Sequence, residues 1–283
     1  MIYAPMTKVV SESLIPVYAT RCTVGYSFAS FLASPLAGIA AVLFVWQGVF
    51  VFGSVFSIVL GILCFVVLSL LEKRGMVTFK KFDKPKQKGG SIGLLIKRQI
   101  IKFTLVSVLT GIVRTTVVFW LPTYLSQYLS FSADNSAMIF TVVTLLISAS
   151  AFVSVFVYEK LGHNMDLTLF LSFLVSAVAF LLVFFVKQSV PNIIFMVVAI
   201  FAANCAASML WSKYCPSLYD TGMVSGATGF LDFMSYMAAS VSSTAFADAI
   251  NSIGWGGLIF VWFVLMGVGI LISLPLKKAV KQN

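Results

Sequence analysis

Two charged side chains stand inside long apolar stretches, and they are the residues best able to do chemistry. Arg114 sits near the middle of an otherwise uncharged run over residues 103–126. An arginine at the centre of a spanning helix costs about 2.5–3.5 kcal/mol to insert, so it faces water, an anion or a counter-charge rather than hydrocarbon. Its planar fork can hold a carboxylate or phosphate through two parallel hydrogen bonds. Ser107, Thr110 and Gly111 precede it on the same helix face. The spacing predicts a polar, small-residue stripe turned inward. Two roles are open for Arg114: binding an anionic solute, or an internal ion pair with Asp232.

Asp232 is the second intramembrane charge. Ser225, Ser235, Tyr236 and Ser243 fall on its side of a helix, again an inward polar face. A buried carboxylate of this kind can carry a coupling proton, pair with Arg114, or cap a kink. Weaker polar stripes are Thr141, Thr144 and Ser148, and Asn204, Ser208 and Trp211. Asn204 and Tyr236 are candidates to complete a binding pocket with Arg114. Ser27, Ser30, Ser34 and Gly38 make a small-residue ridge that suits close helix packing. Gly222, Gly226 and Gly229 also read as packing glycines. They form no phosphate loop, because no strand precedes them and no Lys-Ser/Thr follows.

No nucleophile, base and acid fall within a common pattern, so catalysis is not expected. The single histidine, His163, reads as a solvated loop residue. Cys22, Cys64, Cys205 and Cys215 form no CxxC pair, so neither a metal site nor a disulfide framework is expected. No cofactor is implied.

The elements that position these residues must be membrane helices. The chain has 283 residues, 60% hydrophobic and 10% charged, with 27 phenylalanines. About 25% of a soluble domain is charged, so this chain cannot coat a globule with polar groups. Lipid offers the backbone no hydrogen-bond partner, which leaves helices or closed barrels. Stretches such as 58–71 and 170–186 are too continuously apolar for barrel strands. A span needs about 20 apolar residues. The uncharged run 22–71 accommodates two spans, at 18–43 and 47–70, with a turn near Phe44–Gln47. Six more follow, at 103–126, 136–158, 167–186, 192–211, 224–248 and 256–275.

The segment 72–102 separates the first two spans from the last six. It is strongly basic and contains Pro85, Gly89 and Gly90. The expected organisation is therefore a partial N-terminal helical half (1–71), a basic cytoplasmic loop (72–102) and a six-helix C-terminal half (103–283). With that loop inside, eight spans also put Lys8, Arg21, Lys160, Lys213, Lys277, Lys278 and Lys281 inside, leaving Lys187 outside. Both termini are then cytoplasmic and the site of action is the cell membrane. The net charge of +10 mostly follows from this topology, and anionic headgroups are expected to attract the basic loop. Nucleic-acid binding is not expected.

From Arg114 onward the sequence resembles a known family. Arg114-Thr-Thr-Val-Val-Phe-Trp120-Leu-Pro122-Thr123-Tyr124-Leu125 is similar to the seventh helix of the organophosphate:phosphate antiporters, which include the glycerol-3-phosphate and hexose-phosphate transporters of the major facilitator superfamily. Gly226-Ala-Thr-Gly229-Phe230, with Tyr236 and then Gly254-Trp255, resembles the eleventh helix and the turn into the twelfth. The neighbourhood of Arg21 and Pro35 resembles the fifth helix. The resemblance implies an all-α bundle whose two halves rock about a midplane site, with Arg114 on the anion. It also implies that the chain begins near the end of a fourth helix. The family's first-helix arginine has no counterpart here. Phe28 stands near the family's fifth-helix histidine, Phe119 replaces its aspartate, and Asp232 replaces a small residue. The expected activity is secondary transport of a small organic anion, a phosphate ester or another, coupled to phosphate or protons. The alternative is a non-transporting remnant or a membrane sensor or assembly protein.

Overall fold

Each apolar run forms a helix, because only local i to i−4 bonding satisfies a backbone surrounded by hydrocarbon. The computed structural model describes residues 16–44, 46–74 and 92–274, together with Thr7 and Val10. In chain order the helices are α1 (Pro16–Leu43), α2 (Trp46–Lys73), the short α3 (Ile92–Lys97), α4 (Ile100–Gln127), α5 (Ala133–Lys160), α6 (Met165–Phe185), α7 (Ser189–Ser217) and α8 (Val224–Ser273). Residues 75–91 of the basic loop, Lys8, Lys277, Lys278 and Lys281 lie outside the described residues. So do the side chains of the Ser27, Ser30, Ser34 and Gly38 ridge.

α8 is two crossings. Gly254 has φ 68° and ψ −179°, a region that only glycine occupies readily. The chain reverses there. The Phe246 and Trp262 ring centroids are 6.3 Å apart, whereas a straight helix would separate those positions by about 24 Å. Among the described residues, six helices are long and apolar enough to cross a membrane. With the reversal in α8, and with α1 (28 residues), they give the eight spans read from the sequence.

The core lies in the bundle formed by α4 to α8. Trp262 is fully buried between Phe180, at 5.7 Å between centroids, and Phe246. Its indole Nε1 donates to Thr116 Oγ1 at 3.2 Å. Ser176 Oγ donates to the Ala199 carbonyl at 2.8 Å and joins α6 to α7. α1 packs on α5, where Phe28 meets Phe152 at 4.8 Å. α2 leaves Phe50, Val51, Ile58 and Phe65 exposed. That pattern suits hydrocarbon as solvent and would be untenable in water.

Helix ends are fixed by short polar side chains. Ser132 Oγ accepts from the Asn135 N–H and Asn164 Oδ1 from the Leu167 N–H, capping α5 and α6. One end of the bundle collects the basic residues. Lys102 Nζ pairs with Asp166 at 2.8 Å. Lys213 lies 5.0 Å over the Tyr158 ring, and the Tyr214 hydroxyl donates to the Arg98 carbonyl at 3.1 Å. His163 is exposed there, edge-on to Tyr158.

Candidate functional site

α4 organises the site, and three sets of contacts fix its neighbours. Ser107 Oγ donates to the Leu231 carbonyl at 2.8 Å, and Gly111 lies directly against Ser235. α4 therefore runs parallel to the 224–253 arm of α8. Thr116, on another face, holds Trp262 in the 255–273 arm. Against α7 the packing is antiparallel. Phe103 stacks on Tyr214 with centroids 3.6 Å apart, and the Tyr124 hydroxyl donates to Asn192 Oδ1 at 2.5 Å.

These contacts set the depth of every predicted site residue. Arg114 lies midway between Phe103 and Tyr124 on α4. Asn204 lies midway between Asn192 and Tyr214 on α7. The two are therefore at the same level. Asp232 follows the carbonyl bonded by Ser107, and Tyr236 follows the residue packed on Gly111. Helical side chains lean toward the N-terminus, so Arg114 reaches back toward the turn that Gly111 and Ser235 occupy. At about 100° per residue, Arg114 points between α7 and the 224–253 arm and away from the Trp262 face.

Arg114 and Asp232 are both half-buried and lie within Coulombic range of each other. Tyr236 is 57% exposed, whereas Asn204 is 1% exposed. The Asn204 side-chain amide donates to the Ile200 carbonyl at 3.1 Å. The structure thus brings Arg114 and Asp232 together, with Tyr236 one turn above Asp232. Asn204 joins them in depth but is sealed within α7's packing.

One sequence expectation is sharpened and one changes. Ser107, Thr110 and Gly111 do turn inward and are buried, against protein. Ser107 and Gly111 form the seam with the 224–253 arm, and the Thr110 hydroxyl bonds back to the Val106 carbonyl at 2.7 Å. Small residues serve closeness here, because a backbone can approach only where Cβ is missing or small. Gly226 is not a packing glycine, since a Cβ there would meet open space. Gly222 instead holds a left-handed turn at φ 66°.

One polar knot escaped the sequence reading. Asn192 accepts from Tyr124 and donates to the Val183 and Val186 carbonyls at 3.0 and 2.7 Å. It ties α4, α6 and α7 at the end opposite the basic residues. An asparagine directly after Pro191, at the head of an apolar run, was the available signal; the structure buries it fully. Among the described residues, no cluster of His, Cys, Asp and Glu could hold a metal ion.

A parallel pair of helices with glycine and serine in the seam, a reversal at Gly254 and two half-buried charges on neighbouring apolar helices are the features of this region. Residues 6–243 match the profile of the Major Facilitator Superfamily. A protein of Bacillus subtilis (strain 168), described as the uncharacterized MFS-type transporter YvkA, is 27% identical over 172 residues. That alignment covers 60% of this chain and 37% of the relative, so the chain spans well under two thirds of the protein it matches. With a profile match over most of its length and an all-helical membrane bundle to carry it, the chain belongs to the Major Facilitator Superfamily.

Proposed function

We propose that this protein moves a small organic anion across the cell membrane by alternating access, with Arg114 as the anion anchor. The observation that carries the reading is the shared depth of Arg114 on α4 and Asn204 on α7, with Tyr236 and Asp232 on the adjoining arm at the turns toward which the Arg114 side chain reaches back. A guanidinium held half-buried at that depth binds a carboxylate or phosphate far more strongly than one in water, because the surrounding dielectric is low. Asp232, within Coulombic range, competes with the anion for Arg114 and is suited to couple transport to protons. Tyr236 offers a hydroxyl one turn away, and Asn204 closes the pocket from α7. The similarity of Arg114–Leu125 to the organophosphate:phosphate antiporters favours phosphate esters as the first solutes to try, with phosphate as counter-substrate. The gathering of Arg98, Lys102, Lys160 and Lys213 at one end supports that end, and with it both termini, as cytoplasmic.

The test is uptake into proteoliposomes of radiolabelled glycerol-3-phosphate, hexose phosphates and simple carboxylates, with a phosphate or a proton gradient. Transport should be lost in Arg114→Ala and strongly reduced in Arg114→Lys, which keeps the charge but not the fork. Undiminished uptake by Arg114→Ala overturns the assignment. The Coulombic contact also favours a second reading, in which Arg114 and Asp232 form a structural ion pair. Under that reading Arg114→Gln and Asp232→Asn each lower thermal stability, and the double variant recovers it. A chain that moves none of these solutes but captures a soluble partner would point instead to a sensor or assembly role.

A further inference from the structure

The basic segment 72–102 reads as a loop in the sequence, yet Ile92–Lys97 within it is helical. This helix, α3, stops at Gln99, whose φ of 61° and ψ of 33° are left-handed. Helices often end on such a residue, but it is usually glycine. The Gln99 N–H donates to the Ile96 carbonyl at 2.9 Å, a bond that belongs to that kind of ending. A side chain is strained in this conformation, so the surroundings must hold it. Two contacts do so. Leu95 joins the bundle core, and the Tyr214 hydroxyl of α7 donates to the Arg98 carbonyl at 3.1 Å. α3 therefore leaves the line of α4 at Gln99 and stays pinned beside the head of that helix.

α4 sets the height at which α3 lies. Its 28 residues make a rod about 42 Å long. The hydrocarbon core of a bilayer is about 30 Å thick, and about 40–45 Å with the headgroup layers included. The first turn of α4 is thus at headgroup level, and α3, joined to it through one elbow, is there too. The side chains of α3 suit that level. Leu95 faces the bundle. At about 100° per residue, Lys97 points away from the bundle, while Ile92 and Ile96 share one flank. Ile92 is 70% exposed and Ile96 53% exposed, with Leu94 exposed on the other flank. Three large aliphatic side chains gain by leaving water for acyl chains. Lys97 and Arg98 are exposed beside them. Lys84, Lys86 and Lys88 precede α3 in the chain, and Lys102 follows it. Basic charge thus brackets the apolar residues, a complement to anionic headgroups.

We propose that α3 is a membrane-surface anchor for anionic lipid. Ile92, Leu94 and Ile96 sit at the boundary of acyl chains and headgroups, and Lys97 and Arg98 meet the lipid phosphates. Interfacial helices bind by this combination of buried apolar area and attraction to anionic lipid. The occupant of the exposed apolar flank is the bilayer that already surrounds the bundle. The anchor ties the head of α4, the helix that carries Arg114, to the membrane surface. This inference does not depend on which solute is carried.

Spin-label accessibility on the full chain tests it. The exposed Cys22 and Cys64 are replaced by Cys22→Ser and Cys64→Ser, and the buried Cys205 and Cys215 stay unlabelled as long as the fold holds. A nitroxide is placed in turn at Ile92→Cys, Ile96→Cys and Lys97→Cys, all exposed positions. The protein is studied in nanodiscs of equal parts phosphatidylcholine and phosphatidylglycerol. Oxygen, which concentrates in lipid, and an uncharged nickel chelate, which stays in water, report the depth of each label. The oxygen-to-nickel accessibility ratio should be several-fold higher at Ile92 and Ile96 than at Lys97. It should fall several-fold at Ile96 in nanodiscs of phosphatidylcholine alone. It should fall likewise in the Lys97→Gln, Arg98→Gln double variant with anionic lipid present. Ratios at Ile92 and Ile96 as low as at Lys97 place the helix in water and overturn the proposal. Shielding of Ile96 from both reagents means that protein covers the flank, which also overturns it. A ratio at Ile96 that responds neither to lipid charge nor to the double variant overturns the role of anionic lipid.

Discussion

Replacing Gly111 with alanine probes the seam that sets the depth of Arg114. A Cβ added at Gly111 would lie 2.8 Å from the Ser235 carbonyl oxygen and 3.1 Å from its Cα, besides meeting the Ser235 hydroxyl. The hydroxyl can rotate away, but the backbone cannot, so α4 and the 224–253 arm must separate. Overpacking of this kind costs about 1–3 kcal/mol. The separation also stretches the Ser107–Leu231 bond, 2.8 Å in the native seam, a further loss of about 0.6 kcal/mol for a bond within the membrane. At roughly 2–4 °C per kcal/mol, the thermal midpoint in detergent should fall by several degrees. Ser235→Ala on its own should change little, and the Gly111→Ala, Ser235→Ala double variant should recover only a minor part of the loss, because the carbonyl contact remains. A thiol-reactive or tryptophan-fluorescence melt on the purified protein measures all three. An unchanged midpoint in Gly111→Ala, or full recovery in the double variant, would refute the backbone contact as the source of the seam's tightness.

Other positions test separate features. Gly254→Ala should destabilise by about 1–3 kcal/mol through backbone strain alone, since a Cβ there meets no neighbour within 4 Å; chemical denaturation against wild type measures it. Tyr124→Phe removes the donor to Asn192 Oδ1 and leaves a buried acceptor, at a cost of about 1–3 kcal/mol; a melt should show the loss, and Asn192→Asp should not repair it. Lys102→Gln removes the pair with Asp166, whose side chain is 37% exposed, and should change stability by less than about 1 kcal/mol, with the small effect shrinking further at high salt. Gly269→Ala should also cost about 1–3 kcal/mol, because the new Cβ would lie within 2.8 Å of three atoms of the fully buried Phe173 ring; paired melts of the two variants compare them.

The helices and their number were legible because transfer free energy is local. A run of twenty apolar residues finds hydrocarbon whatever lies beside it, so the spans at 18–43 and 47–70 appear as Pro16–Leu43 and Trp46–Lys73. The turn at 249–255 was legible in part, through Gly254-Trp255, but its positive φ was not. The identities of Arg114 and Asp232 as intramembrane charges were likewise fixed by their flanking residues alone.

What each helix face does was not legible. Periodicity put Ser107, Thr110, Gly111 and Arg114 on one side of α4, but it could not say that Ser107 and Gly111 close a seam while Arg114 looks past it. Nor could it tell that Asn204, polar and mid-span, is sealed while Tyr236 is open. Burying a residue in lipid depends on that residue, whereas register and facing depend on contacts between positions more than 100 residues apart, such as Ser107 with Leu231 and Thr116 with Trp262. The sequence by itself determined a helical membrane chain with two buried charges. Only the tertiary structure decided their register and their neighbours, because register is set by where one helix stops sliding against another.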